Sequence, residues 1–234
     1  MRLAVVGTGL IGASAGLAAR RAGVSAVTGW DEDRNTLDVA AERGAVDPAG
    51  SLAEALRDAD VALVAVPVAA LPTVVQHVLV NAPVVCAVTD VGSTKAAVCA
   101  AAGNDSRFVG GHPICGAETR GPERASAELF EGATWFLTPL PATEPERYRA
   151  AHSLVASLGA RPVAIDPSAH DRLVAVTSHL PHALANVLLN QAGASRVDGH
   201  DPLAAAGGSL RDMTRIAGAN PRSEERRVGK ECRL

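Results

Sequence analysis

The chain has 234 residues, 22 Lys+Arg against 25 Asp+Glu, and a formal charge of −3. With 47% apolar and 20% charged residues it can bury a sizeable core, which excludes a disordered chain. Weak net charge without a basic block argues against an electrostatic nucleic-acid binder. Four widely spaced cysteines (Cys86, Cys99, Cys115, Cys232) argue against a disulfide scaffold or zinc module and for a reducing compartment such as the cytoplasm.

Residues 2–6, RLAVV, read as a short buried strand. Gly7-Thr8-Gly9-Leu10-Ile11-Gly12 follows at once and opens an Ala-rich helix that runs to Arg21. The strand SAVTGW ends at Asp31, and DRNTLDVAAERG reads as a helix closed by Gly44. SLAEALRDA is another helix, with Ser51 as N-cap and Glu54 at the capping-box position. Residues 61–88 contain no Asp, Glu, Lys or Arg and meet the length criterion for a membrane span. Pro67, Pro72 and Pro83 break that stretch, so it reads as strand VALVAV, helix LPTVVQHVLV and strand VVCAV. The N-terminal 19 residues resemble a short signal peptide, but Gly7, Gly9 and Gly12 interrupt the apolar run. No membrane association is expected.

Further strands are predicted near 107–109, 133–138 and 161–165. In the helix PERYRAAHSLVASLG, Tyr148, Ala151, Leu154, Val155 and Leu158 share one face. Repeated βα units predict a mainly parallel sheet with right-handed crossovers. From about Asp166 the pattern changes. DRLVAVTSHLPHALANVLLNQAG is a long, nearly uncharged helical pattern with no strand after it. The expected fold is therefore α/β: a Rossmann-type dinucleotide-binding domain over 1–166, then a partial all-helical domain over 167–221.

G-x-G-x-x-G by itself is a weak signal. Here it follows a strand, opens a helix, and has an acid 19 residues after Gly12 at the end of the next strand. Gly7 permits the tight turn, Gly9 lets the backbone approach a pyrophosphate, and Gly12 lets helix and strand pack closely. The helix N-terminus offers unpaired N–H groups to the phosphates. Asp31 suits the adenosine ribose hydroxyls, which favours NAD over NADP, and Arg34 lies close enough to temper that preference. Thr8, Leu10 and Ile11 of the loop, Val66-Pro67 at a strand end, and Ser93 complete the expected cofactor surface.

Asp90-Val91-Gly92-Ser93-Thr94-Lys95 lies between a strand end and a helix start, where open α/β sheets bind ligands. Ser93 can cap that helix, face the crevice, or both. Lys95 is the only Lys in the first 221 residues, in a chain that otherwise uses Arg. Gly110-Gly111-His112-Pro113-Ile114-Cys115-Gly116-Ala117-Glu118 reads as a glycine-flanked loop after a strand, and its His titrates near neutrality, which suits acid/base work. Cys115 shows no activating neighbour. In Ser178-His179-Leu180-Pro181-His182 the two imidazoles share a helix face, as substrate-binding groups or as a satisfied core pair. No third ligand accompanies them, so no metal is expected. In Gly207-Gly208-Ser209-Leu210-Arg211-Asp212-Met213-Thr214-Arg215, Arg215 can clamp a carboxylate and Asp212 can hold it, or the two form an exposed ion pair.

This ordered series, GTGLIG, Asp31, DVGSTK, GGHPICGAE, SHLPH and GGSLRDMTRIA, resembles the prephenate/arogenate dehydrogenase family over residues 1 to about 221. The resemblance implies NAD-dependent oxidative decarboxylation of prephenate to 4-hydroxyphenylpyruvate on the route to tyrosine. It implies that His112 is the catalytic His on the substrate's ring hydroxyl, with Ser93 between it and the nicotinamide. Glu118, His182 and Arg215 would shape the substrate site, supported by His179 and Asp212, and the intact family member would be a homodimer. Alternatives are an arogenate dehydrogenase or a β-hydroxyacid-type dehydrogenase. The latter commonly uses a catalytic Lys after its Rossmann domain, and this chain has none between Lys95 and Lys230. Residues 222–234, RSEERRVGKECRL, resemble the in-frame translation of a sequencing-library adapter. We expect them to be non-native and the gene to be cut short there, with apolar surface near 171–192 left uncovered. Their five positive and three negative charges would leave −5 on the remainder.

Overall fold

The computed structural model describes residues 1–115 and 121–218. The expected non-native segment at 222–234 lies outside them. The chain forms two compact units, Met1–Asp171 and Arg172–Leu234.

The first unit alternates strand and helix. Its elements are β1 (Arg2–Val6), α1 (Leu10–Arg21), β2 (Ala26–Trp30), α2 (Arg34–Glu42), β3 (Asp47–Pro48), α3 (Leu52–Leu56), β4 (Val61–Val64) and α4 (Leu71–Asn81). Then come β5 (Ala87–Asp90), α5 (Ala96–Ala102), β6 (Phe108–Pro113), β7 (Thr134–Pro139), α6 (Pro145–Ser157), β8 (Arg161–Ala164) and α7 (Pro167–Val174). The division between the units falls inside α7. The strands form one sheet in the order β3-β2-β1-β4-β5-β6-β7-β8. Only the β6–β7 pairing is antiparallel among these neighbours. Strand order reverses between β1 and β4, which opens a crevice at their carboxyl ends.

Both faces of the sheet are buried, so β4 and the Leu3–Val6 part of β1 are apolar at every position rather than at alternate ones. Leu3, Val5, Val27, Leu63, Val109 and Trp135 join one core cluster, shared with buried residues of α1, α2 and α6. Ala4, Val6, Ala62, Val64, Val88 and Phe108 join the other, with Leu71, Val75 and Val78 of α4. Ala151, Leu154, Val155 and Leu158 are buried along α6 and Tyr148 packs beside them, as the helical spacing predicts. At α3 the Ser51 hydroxyl accepts from Glu54 N at 3.1 Å, while the Glu54 carboxylate reaches back to Gly50 N at 2.7 Å.

Three local readings change. β5 starts at Ala87 rather than Val84. Pro83 begins a turn closed by Cys86 N–H donating to Pro83 O at 2.9 Å, and Val84 and Val85 project into solvent. Gly110-Gly111-His112-Pro113 is not a loop but the end of β6. A Cβ at Gly110 would lie 2.2 Å from Thr138 Oγ1, and one at Gly111 would lie 2.3 Å from Asp90 O. The glycines therefore serve strand packing. The long apolar helix begins earlier, at Pro167, and is not continuous.

In the second unit a π-helical turn spans Ala175–His179, then α8 covers Leu180–Ala194. Pro181 has no N–H to donate, which leaves the Thr177 carbonyl without its α-helical partner. The chain widens there, and Leu180 N–H bonds back five residues to Ala175 O. α9 (Gly208–Thr214) and a 3-10 turn (Arg215–Gly218) follow and pack against α8. Among the described residues no helix is long and apolar enough to cross a membrane.

Candidate active site

The glycine loop sits at the carboxyl end of β1, beside β4. Gly7 has φ +90°, and a Cβ there would lie 2.7 Å from Ala65 O and 2.9 Å from Val66 Cγ1. A Cβ at Gly12 would lie 1.9 Å from Gly7 O, so only glycine lets α1 leave the strand this tightly. Gly9 differs. A Cβ there meets nothing within 4 Å, and as N-cap of α1 it makes no side-chain cap bond. The loop is thus closed beneath and open above Gly9, which fits a pyrophosphate resting on the N–H groups that start α1.

Asp31, at the end of β2, is built into this cradle. Its Oδ2 accepts from Thr8 N at 2.6 Å and its Oδ1 from Asp33 N at 2.9 Å. Both bonds orient the carboxylate at the rim, where a ribose diol would sit. Arg34 does not turn toward it but pairs with Asp38 at 3.1 Å along α2. Leu10 and Ile11 open α1, and Pro67 begins the turn after β4, with Ala70 N donating to Pro67 O at 2.8 Å.

A second cluster lies at the carboxyl ends of β5 and β6. Asp90 and Lys95 form an ion pair with both side chains fully buried. Lys95 Nζ also donates to Gly111 O at 2.7 Å, and Asp90 accepts from Gly92 N at 2.8 Å and Gly111 N at 2.9 Å. Lys95 therefore pins β5 to the backbone just before His112. Ser93 lies in the loop between β5 and α5 and is not the cap. α5 begins after Lys95, and Asp171 of α7 accepts from Lys95 N at 2.8 Å and Ala96 N at 2.9 Å.

His112 ends β6 beside two residues that the sequence did not single out. His112 Nδ1 lies 2.9 Å from His170 Nε2, and His170 Nδ1 lies 2.8 Å from Asp171 Oδ1. His170 is fully buried, its ring edge-on to His112 and to Phe136. Burial opposes the charge of Asp171, but bonds from His170 and from the backbone N–H of Ala96 and Lys95 outweigh it and hold the carboxyl below its usual value. The signal available in the sequence was adjacent His and Asp ahead of an uncharged helix. Cys115 is inert, its thiol pushed up to about 11 by burial.

Glu118 lies outside the described residues. The remaining expected site residues belong to the second unit. His179 ends the π turn, and His182 Nδ1 lies 2.8 Å from Ser178 O. Asp212 on α9 and Arg215 on the following turn are exposed, on elements packed against α8.

The glycine cradle at the switch point, the acid after β2 and the histidine near the end of β6 define a Rossmann-type nucleotide-binding protein with a helical second unit. Comparison with known sequences carries this further. The sequence model described as "Prephenate dehydrogenase, nucleotide-binding domain" matches residues 15–164. That described as "Prephenate dehydrogenase, dimerization domain" matches 166–228, seven residues into the segment that composition sets apart. The chain belongs to the prephenate dehydrogenase family. It is 29% identical over 225 residues to the prephenate dehydrogenase of Lactococcus lactis, covering 94% of this chain and 62% of the relative. It thus spans less than two thirds of that relative's length. Prephenate dehydrogenase from Aquifex aeolicus, solved with hydroxyphenyl propionate and NAD+, superposes with TM-score 0.89 at 28% identity over 97% of this chain and 81% of that one. Synechocystis arogenate dehydrogenase superposes with TM-score 0.84 at 32% identity, covering 97% and 82%.

Proposed function

We propose that this chain oxidises and decarboxylates prephenate to 4-hydroxyphenylpyruvate with NAD. The observation that carries the reading is the placement of His112 on the same sheet edge as the glycine cradle and Asp31. When bound, the nicotinamide supplies the hydride acceptor. Gly7–Gly12 hold the pyrophosphate, Val66 and Pro67 flank it, and Asp31 takes the ribose hydroxyls. His112 accepts the proton of the ring alcohol as hydride leaves its carbon. The C–CO₂ electron pair then flows through the ring onto its oxygen as carbon dioxide departs, His112 returns the proton to that oxygen, and aromatisation drives the step. The protein's task is orientation and charge placement. Ser93 helps place the hydroxyl. Glu118, His182 and Arg215 shape the substrate site, Arg215 at a carboxylate, with His179 and Asp212 in support. Following NADH absorbance with prephenate, arogenate and a 3-hydroxy acid in turn tests this. Prephenate should give the highest kcat/KM. A preference for arogenate would favour the second reading, which the likeness to the Synechocystis enzyme supports, and a response only to the 3-hydroxy acid would refute both.

Asp31 makes NAD the expected nucleotide, because a 2′-phosphate would meet its carboxylate and Arg34 is engaged by Asp38. Asp31→Asn keeps an acceptor for Thr8 N but removes the charge. The ratio of NADP to NAD affinity should rise roughly 10- to 100-fold, since like charges brought together cost several kcal/mol. Calorimetric titration of both nucleotides measures it, and an unchanged ratio would remove Asp31 from the ribose site.

We place the activity in the cytoplasm, in keeping with the free thiols Cys86, Cys99 and Cys115, and we propose a homodimer through the second unit. Leu180, Leu184 and Val187 stand exposed at i, i+4 and i+7 on α8. Leu184→Asp should yield monomer in sedimentation velocity where the parent chain sediments as a dimer. A dimer of undiminished strength would move the interface elsewhere.

A further inference from the structure

We propose that His170 and Asp171 act as a positioning relay that sets the tautomer of His112 and makes its Nε2 the proton acceptor. The catalytic consequence rests on the reading of His112 as the base; the tautomer does not.

The direction of the relay follows from what each atom can do. Lys95 N–H and Ala96 N–H can only donate, so the Asp171 oxygens that face them must accept. The carboxylate therefore stays ionised, and its Oδ1 accepts from His170 Nδ1–H as well. With both rings neutral, His170 then offers only a lone pair at Nε2. The 2.9 Å contact is a hydrogen bond only if His112 Nδ1 carries the proton. That leaves the His112 lone pair on Nε2. The tautomer of one ring nitrogen is set by the bond that the other makes, and here the setting is passed through two rings from a helix terminus.

Packing keeps the chain of bonds in register. His170 is fully buried, with His112 and Phe136 edge-on to it at centroid distances of 5.1 and 5.5 Å. His112 and Phe136 are register partners on β6 and β7. Upstream, Gly111 is held from both sides by the buried Asp90–Lys95 pair. When His112 takes a proton at Nε2, its Nδ1 proton can pass to His170 Nε2. The positive charge then rests on His170 beside the Asp171 carboxylate rather than at the reacting centre. The same carboxylate anchors the start of α5, so the loop carrying Ser93 and the ring of His112 are positioned by one group.

Asp171→Ala removes the acceptor that sets the relay. His170 Nδ1 and Lys95 N share one Asp171 oxygen while Ala96 N takes the other, so an amide in its place would fix neither direction, and alanine is the cleaner change. Without the carboxylate His170 can carry its proton on either nitrogen, and His112 loses its Nδ1–H preference. Long-range ¹H–¹⁵N spectra of the imidazoles in the full chain, assigned with His112→Gln and His170→Gln, read this directly and need no substrate. The expected result is an Nδ1–H tautomer of His112 in the parent and a mixture of tautomers in Asp171→Ala. His170→Phe guards against misfolding of that variant. It removes the acceptor while keeping a ring, and His112 should again lose its Nδ1–H preference. An Nε2–H tautomer in the parent, or an unchanged Nδ1–H tautomer in a folded variant, would overturn the relay. With prephenate and NAD, Asp171→Ala should lower kcat on the order of 10²-fold, as expected for a general base that has lost its orienting partner, with KM little changed. Loss of the tautomer preference in a chain that does not turn over prephenate would leave the relay standing and defeat the activity instead. Parent-like kcat in Asp171→Ala, beside an inactive His112→Gln, would defeat the relay alone.

Discussion

On the proposed reading, replacing His112 with Asn should lower prephenate turnover by a factor on the order of 10² to 10⁴ and leave NAD affinity nearly intact. The magnitude is that of losing a positioned general base. The asymmetry between turnover and affinity follows from geometry. The cradle proposed for the pyrophosphate is built from Gly7, Gly9 and Gly12, with the Asp31 carboxylate at its rim for the ribose, and none of these bonds to His112 among the described contacts. Asn is smaller than His, and its amide can still reach toward His170, so the end of β6 is retained. Steady-state kinetics with prephenate, a calorimetric titration with NAD and a melting curve on the same preparation separate the two effects. Turnover within a few-fold of the parent chain would remove His112 from the chemistry.

Lys95→Met should be the most damaging single change to stability. It leaves Asp90 buried, still bonded to Gly92 N and Gly111 N but with its cation gone, and Gly111 O loses a donor. Breaking a buried pair by removing one partner costs about 3–5 kcal/mol, because the remaining charge is desolvated and uncompensated. For a chain of this size that lowers the melting temperature by roughly 6–20 °C. The double variant Asp90→Asn/Lys95→Met should be more stable than Lys95→Met alone, since no charge is left and the amide oxygen still accepts one backbone N–H. Thermal unfolding of the parent, the single and the double variant tests this. A single variant within about 1 kcal/mol of the parent would mean that the pair contributes little to stability.

The local structures that read cleanly from sequence are those that one short segment builds by itself. The glycine loop is an example, since strand, turn and helix start are consecutive. Asp31 is another, because a strand end is visible in the hydropathy. Lys95 stood out by composition alone, and only the fold shows why a cation is needed there: it faces a carboxylate on its own strand end and a carbonyl on the next strand. His170 and Asp171 were not legible. They meet His112 across 58 residues of chain, and locally they look like the polar start of an apolar helix. The glycines before His112 suggested a loop because their packing reason, Thr138 and the Asp90 carbonyl, lies on neighbouring strands. The turn at Pro83 and the π turn before Pro181 were missed for a related reason. Apolar runs hide where backbone bonding is interrupted, and a proline shows only that one donor is absent.

The proposed function makes oxidation and loss of carbon dioxide one process on this chain, with His112 as base. Mixing the chain with NAD and prephenate and quantifying NADH, carbon dioxide and 4-hydroxyphenylpyruvate together tests this coupling. The expected result is equal amounts of all three, formed at one rate and abolished together by His112→Asn. NADH without carbon dioxide, or no prephenate-dependent NADH from a folded chain that binds NAD, would contradict it.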